Sequence, residues 1–216
     1  MNLTCDKCSS VGLGFFSLNI QPHEYLEGKK DADIWIIGLN PKGSIGNIEQ
    51  ITLSDFENFD PDCHSYFHDF RKVSPRLYSN WKSEKSRIAH TDLVKCFSPS
   101  FPPKVVVENK EKVVRVETIV QNCKTHLLKQ INSSRPKVII CNGSEVCREM
   151  LRLFTPQTTE EWQTLTSYKT TVTFENNLKH SFWVVLSGFI GRIDDRNKRR
   201  LGKEIERILE DEKMEL

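Results

Sequence analysis

Four short apolar stretches each run straight into a loop of glycine, proline and small polar residues, and this repeated pairing limits the fold more than any other feature. Asp33–Ile37 (D-I-W-I-I) ends at Gly38-Leu39-Asn40-Pro41-Lys42-Gly43. Thr91–Lys95 leaves through Phe97-Ser98-Pro99, and Pro136–Cys141 turns at Asn142-Gly143-Ser144-Glu145. Ser181–Leu186 opens into Ser187-Gly188-Phe189-Ile190-Gly191-Arg192. Unbroken apolar runs of this length suit strands buried on both faces, as in a parallel sheet covered by helices. Parallel strands need long crossovers, and helical patterns supply them. Helices are expected at 52–59 and 64–72, and at 112–132 with Val116, Ile119, Val120, Cys123, Leu127 and Leu128 inward. Two more are expected at Ser144–Phe154, with Ser144 as N-cap, and at 194–212, with Leu201, Ile205, Ile208 and Leu209 on one face. Thr170–Phe174 and Ser181–Leu186 flank Glu175-Asn176-Asn177 and read as a hairpin. The alternation gives an α/β class, a three-layer α/β/α sandwich around a central four-stranded, mostly parallel sheet.

Among 216 residues, 38% hydrophobic and 28% charged describe a globular chain with enough apolar side chains for a sizeable core. No repeat or linker divides it, so one domain over 1–216 is expected, with 1–30 an irregular arm. No apolar run is long enough to span a bilayer, and M-N-L-T-C-D-K-C has no signal-peptide pattern. A cytoplasmic monomer without membrane contact follows as the expectation. A net charge of +2 requires any nucleic-acid surface to be a local basic patch. Seven cysteines, an odd count in an intracellular chain, point to metal before disulfides. Cys5-x-x-Cys8 is the one close pair, while Cys63, Cys141 and Cys147 read as buried thiols. His64 and His68 can share a helix face but have no third ligand nearby.

Chemistry concentrates where open α/β sheets bind their ligands, at the carboxyl ends of the strands. Asp92 lies in an otherwise apolar stretch and needs a partner or a task. Cys96 follows at the end of the same strand. The glycines and proline of 38–43 let backbone approach a ligand closely, although a tight turn would use them equally well. Most aromatics of 45–80 read as core, with one free to stack on a flat ligand.

Taken together, these stretches resemble the iron–sulfur branch of the uracil-DNA glycosylase superfamily over nearly the whole chain. Gly38-Leu39-Asn40-Pro41 is similar to its water-activating motif, and Asp92-Leu93-Val94-Lys95-Cys96 stands where that branch has Asn-Val-Val-Lys-Cys. Cys123-x-x-x-Leu127, the strand Pro136–Ile140 with its glycine turn, and the Cys5/Cys8 pair complete the match. The resemblance implies that Cys5, Cys8, Cys96 and Cys123 hold a structural [4Fe–4S] cluster, with zinc the less favoured occupant. It tolerates a Lys/Val-rich insertion at 100–115. It also implies DNA as partner and a flipped-out nucleotide as substrate. Asn40 then positions the attacking water, and Gly38, Leu39, Pro41, Asp92 and an aromatic such as Tyr66 or Phe67 surround the base. Lys42, Ser187 and Arg192 are the expected phosphate contacts, with Arg196 and Lys198–Arg200 as further cations.

Two departures from the family shift the expected substrate. Leu186-Ser187-Gly188-Phe189 replaces the His-Pro-Ser loop of uracil-removing members, so the loop histidine is missing. Asp92 replaces an asparagine whose amide accepts from uracil N3–H and donates to O4. An ionised carboxylate has no donor, but cytosine offers its N4 amine to it. A mismatched buried polar pair costs about 1–3 kcal/mol. By resemblance, the pocket suits a cytosine-type base. Excising plain cytosine would destroy the host genome. A modified cytosine, such as glucosylated hydroxymethylcytosine of phage DNA, and a role in antiviral defence are therefore expected. A uracil-DNA glycosylase of base-excision repair and a non-catalytic DNA-binding module are the alternatives.

Overall fold

The computed structural model describes residues 5, 7, 8, 21–41, 52–96, 101–156, 162–164 and 166–214. A two-residue strand β1 (Glu27–Gly28) precedes β2 (Ile34–Gly38), all of which is buried. Short helices α1 (Leu53–Glu57), α2 (Ser65–His68), α3 (Phe70–Val73) and α4 (Pro75–Trp81) lead to β3 (Ile88–Asp92). A hairpin of β4 (Lys104–Val107) and β5 (Lys110–Val113) is followed by α5 (Val116–Ser134), β6 (Val138–Asn142) and α6 (Ser144–Leu153). Then come β7 (Trp162–Thr164), β8 (Ser167–Thr173), β9 (Lys179–Ser187) and α7 (Asp195–Asp211).

Among the described residues, seven strands form one sheet in the order β1-β3-β2-β6-β9-β8-β7. Strands β3, β2, β6 and β9 are mutually parallel and form its centre. The edge strands β1, β8 and β7 are antiparallel to their neighbours. The expected four parallel strands are present, the Thr170–Phe174 arm of the expected hairpin pairs with β9 as β8, and β1 and β7 are edges too short to stand out in sequence. Alternation along β2 divides the core in two. Trp35 and Ile37 pack with Ile119, Leu127 and Met150 of α5 and α6. Ile34 and Ile36 pack with Phe70, Leu77 and Ile205 of α3, α4 and α7. The result is the three-layer sandwich.

Several boundaries differ from expectation, each for a local reason. Strand β3 ends at Asp92, because its neighbour β2 ends at Gly38. Leu93 and Val94 still donate to the carbonyls of Gly38 (3.0 Å) and Leu39 (2.9 Å), tying the two loops together. The helix expected at 112 begins at Val116, because 104–113 pairs as a hairpin whose turn residues Glu108 and Asn109 have positive φ of 51° and 61°. The 64–72 helix is split into α2 and α3. Pro75, which reads as a helix stop, instead opens α4 behind the Ser74 cap. Gly143 occupies the N-cap of α6, and Ser144 is already helical. The arm expected to be irregular contains a 3-10 turn, Pro22–Glu24, and β1. Cys63 is exposed rather than buried, and Cys147 is half-buried.

Helix α7 crosses the end of α3 so closely that a Cβ on Gly202 would overlap the Val73 carbonyl oxygen and carbon. That obstacle is backbone and cannot rotate away. Gly202→Ala is expected to destabilise the fold by at least about 2 kcal/mol, measurable as a lowered midpoint in urea unfolding.

Candidate active site and cysteine cluster

The parallel strands end in a row of functional groups. Register pairs Gly38 with Asp92 and Asn142 with Ser187. A Cβ on Gly38 would overlap Asp92 Oδ1 and lie 3.2 Å from both His90 Nε2 and Tyr66 Oη. Because Gly38 has no side chain, Asp92 Oδ1 packs where a Cβ would stand, and His90 Nε2 and Tyr66 Oη converge on the same point as a polar cluster. Residues 90 and 92 share one face of β3, the face covered by α2 to α4 and α7.

Asp92 is buried, and its Oδ2 accepts from the Tyr25 hydroxyl at 3.2 Å. Burial pushes its carboxyl up to about 6, against the opposing pull of His90, Lys95 and the Tyr25 hydroxyl, with Glu27 adding to the push. At neutral pH it is largely ionised. His90 is also buried, and its Nδ1 lies 2.6 Å from Glu27 Oε2. Burial alone would lower its pKa, but Asp92 and Glu27 outweigh that and hold it above the ordinary histidine value. His90 Nε2 is 4.0 Å from Asp92 Oδ1 and has no hydrogen-bond partner among the described residues. Burial, with Asp92 and Glu27 nearby, raises the Tyr66 pKa, so its phenol stays neutral.

Of the expected base-contacting aromatics, Tyr66 lies at this cluster, with His90 at 5.8 Å and Phe189 at 5.4 Å between ring centres. Phe67 belongs to the core beneath, edge-on to both His90 and Trp81 at 4.9 Å. Pro41 is buried, while Leu39 and Asn40 are half-buried. Asn40 Nδ2 donates to the Pro41 carbonyl at 3.1 Å. That bond occupies the amide's donor end, and the carbonyl end is the one that water activation requires.

The expected phosphate contacts fare unevenly. Arg192 is exposed, with its guanidinium 5.6 Å from the Phe189 ring centre. The Ser187 hydroxyl donates to the Gly188 carbonyl at 2.9 Å. Lys42 lies outside the described residues. Lys198 is buried, 3.1 Å from Asp69, and is not a surface cation. Ile190 N–H, one of the loop donors available to a departing base, is held by Asn142 Oδ1 at 2.8 Å. Sequence reasoning missed Tyr25, Glu27, His90 and Asn142. His90 was within reach, since H-T-D on a strand sets two side chains on one face.

On the other face of the sheet, Cys8, Cys96 and Cys123 share one buried cluster, with Cys5 packed against it. Burial first, then the neighbouring cysteines, push Cys96 up, and burial lifts Cys123 to about 11 against the opposing Lys95 backbone N–H and ammonium. Asn122 Nδ2 donates to Cys8 Sγ at 3.3 Å, and His126 Nε2 lies 3.4 Å from Cys5 Sγ. The Lys95 backbone N–H bonds to Cys123. Among the described residues, no group of three or more His, Cys, Asp or Glu is gathered closely enough to hold a metal ion.

A family profile for the Uracil DNA glycosylase superfamily matches residues 26–187, from the start of β1 to the end of β9. The chain belongs to that superfamily. Members of the uracil-DNA glycosylase superfamily hydrolyse the bond between base and sugar, so the polar cluster over Gly38 is the candidate active site of a DNA glycosylase. The match includes Cys96 and Cys123, while Cys5 and Cys8 precede it. A search of curated proteins returned no match. Among the described residues of this glycosylase, no helix is long and apolar enough to cross a membrane.

Proposed function

We propose that this glycosylase excises a modified cytosine, such as glucosylated hydroxymethylcytosine of phage DNA, as a monofunctional cytoplasmic enzyme of antiviral defence. The observation that carries the reading is Asp92: a buried carboxylate at the end of β3, packed over Gly38 beside His90 and Tyr66. Ionised above about pH 6, it accepts from the exocyclic amine of cytosine and repels O4 of uracil. The nucleotide flips out of the stack, Tyr66 stacks on the base, and the Asn40 carbonyl orders a water against C1′. Arg192 takes a flanking phosphate. Mass spectrometry of bases released from phage DNA tests the assignment: free modified cytosine supports it, and free uracil from uracil-containing DNA overturns it.

The cysteine face supports a [4Fe–4S] cluster held by Cys5, Cys8, Cys96 and Cys123, in line with the family's iron–sulfur branch. N–H groups of Asn122 and Lys95 directed at the sulfurs of Cys8 and Cys123 fit thiolates better than thiols, whose sulfur is a weak acceptor. Zinc, which four thiolates also suit, is the less favoured occupant. The bound cluster would tie the arm, the loop after β3 and α5 together; it lies on the face away from Asp92. Cys96→Ala is expected to abolish iron and acid-labile sulfide and to lower the melting temperature, whereas Cys63→Ala leaves both unchanged. Iron-free wild type with unaltered melting would refute the cluster.

A further inference from the structure

The proposed reaction still lacks an acid. Cytosine leaves poorly unless its ring is protonated, the loop after β9 carries no histidine, and Ile190 N–H is engaged by Asn142. One buried polar group in the cluster has no use in the scheme so far. His90 Nε2 lies 4.0 Å from Asp92 Oδ1 and 3.2 Å from the point a Gly38 Cβ would occupy, without a hydrogen-bond partner among the described residues. Its other nitrogen is fixed by Glu27 across the β1–β3 register, which pairs residues 27 and 90. A histidine kept only for packing would have no reason to leave a buried nitrogen unpaired.

We propose that His90, backed by Glu27, is a catalytic residue whose Nε2 hydrogen-bonds N3 of the cytosine held at N4 by Asp92, and protonates N3 as the glycosidic bond breaks. The inference rests on the cytosine reading. Cytosine presents a donor, N4–H, beside an acceptor, N3; Asp92 Oδ1 and a protonated His90 Nε2 present the complementary acceptor and donor. The proton moves from Nε2 to N3, and the C1′–N1 electron pair stays with the base, which departs neutral. Water held by Asn40 supplies oxygen to C1′, and its released proton restores the imidazolium. Glu27 keeps Nδ1 as an N–H, so Nε2 can donate only in the imidazolium. The charged and titratable groups around it are Glu27 on β1, Asp92 on β3, Tyr66 on α2 and Lys95 after β3. The same pair could grip uracil only in swapped order, His90 on O4 and Asp92 on N3–H, so uracil DNA is the necessary control.

The test is single-turnover cleavage of modified-cytosine and uracil DNA across pH, with wild type, His90→Gln and Glu27→Gln. The expected wild-type profile is a bell, rising as Asp92 ionises and falling as His90 loses its proton. His90→Gln should lose about 100-fold or more at the optimum, lack the alkaline limb, and bind DNA as before. Glu27→Gln should move the alkaline limb to lower pH, and it carries the test if His90→Gln does not fold. Wild-type rate with an unchanged alkaline limb in both variants overturns the role of His90 and leaves the Asp92 reading intact. Cleavage of uracil DNA alone by wild type, or of neither DNA, overturns both.

Discussion

Asp92→Asn is expected to move this glycosylase from cytosine-type bases toward uracil. The amide restores a donor for O4 and keeps an acceptor for N3–H, while the carboxylate that accepts from cytosine N4 is lost. With about 1–3 kcal/mol per mismatched buried polar pair, kcat/KM on modified-cytosine DNA should fall about 10- to 100-fold and rise comparably on uracil DNA. Stability should move the other way. The folded-state carboxyl lies near 6, above its ordinary value of 3.8, so the folded protein holds this proton more tightly than the unfolded chain. Asp92 is therefore neutral in both states and harmless below about pH 4; its penalty builds up between about pH 4 and 6, where only the unfolded chain has lost the proton, and is complete above 6. The shift corresponds to a penalty on the order of 3 kcal/mol at neutral pH. Asp92→Asn removes it, so the variant should melt at least as high as wild type at pH 7.5, with the gain vanishing near pH 4. Thermal melts across pH check this independently of activity.

Gly38→Ala is expected to separate the site from the fold. Its methyl would overlap Asp92 Oδ1, the end of a side chain, whereas the methyl of Gly202→Ala would meet backbone. The carboxyl can swing aside, so the variant should fold, with a loss of no more than about 1–2 kcal/mol. Displacing the base-reading carboxyl from its place over Gly38 should lower kcat/KM at least about 100-fold. Single-turnover rates beside urea melts would reveal an inactive but folded enzyme; near-normal activity would mean that the base lies elsewhere.

The central strands were legible because β2 and β6 are unbroken apolar runs ending in glycine turns, a pattern that only double-sided burial explains. Gly38 and Asp92 stood out by their places at strand ends, whereas Asn40 was singled out only by the family resemblance. Strand β1 was not legible: two residues carry no periodicity, and only pairing with β3 defines it. That pairing brings Glu27 to His90, so the dyad stayed hidden although half of it was in plain view. Helix α4 was masked by Pro75, which stops one helix and starts the next. The β4–β5 hairpin was hidden because its Lys/Glu/Val mixture suits a helix start equally well. Asn142 looked like turn material, and only the fold reveals its hold on the loop after β9.

The measurement that bears most directly on the account is the ratio of kcat/KM for abasic-site formation on glucosylated-hydroxymethylcytosine DNA to that on uracil DNA, taken with wild type and Asp92→Asn in parallel. The account predicts a ratio well above one for wild type that drops by at least about tenfold in the variant. A wild-type ratio below one, or a ratio untouched by the substitution, would contradict it.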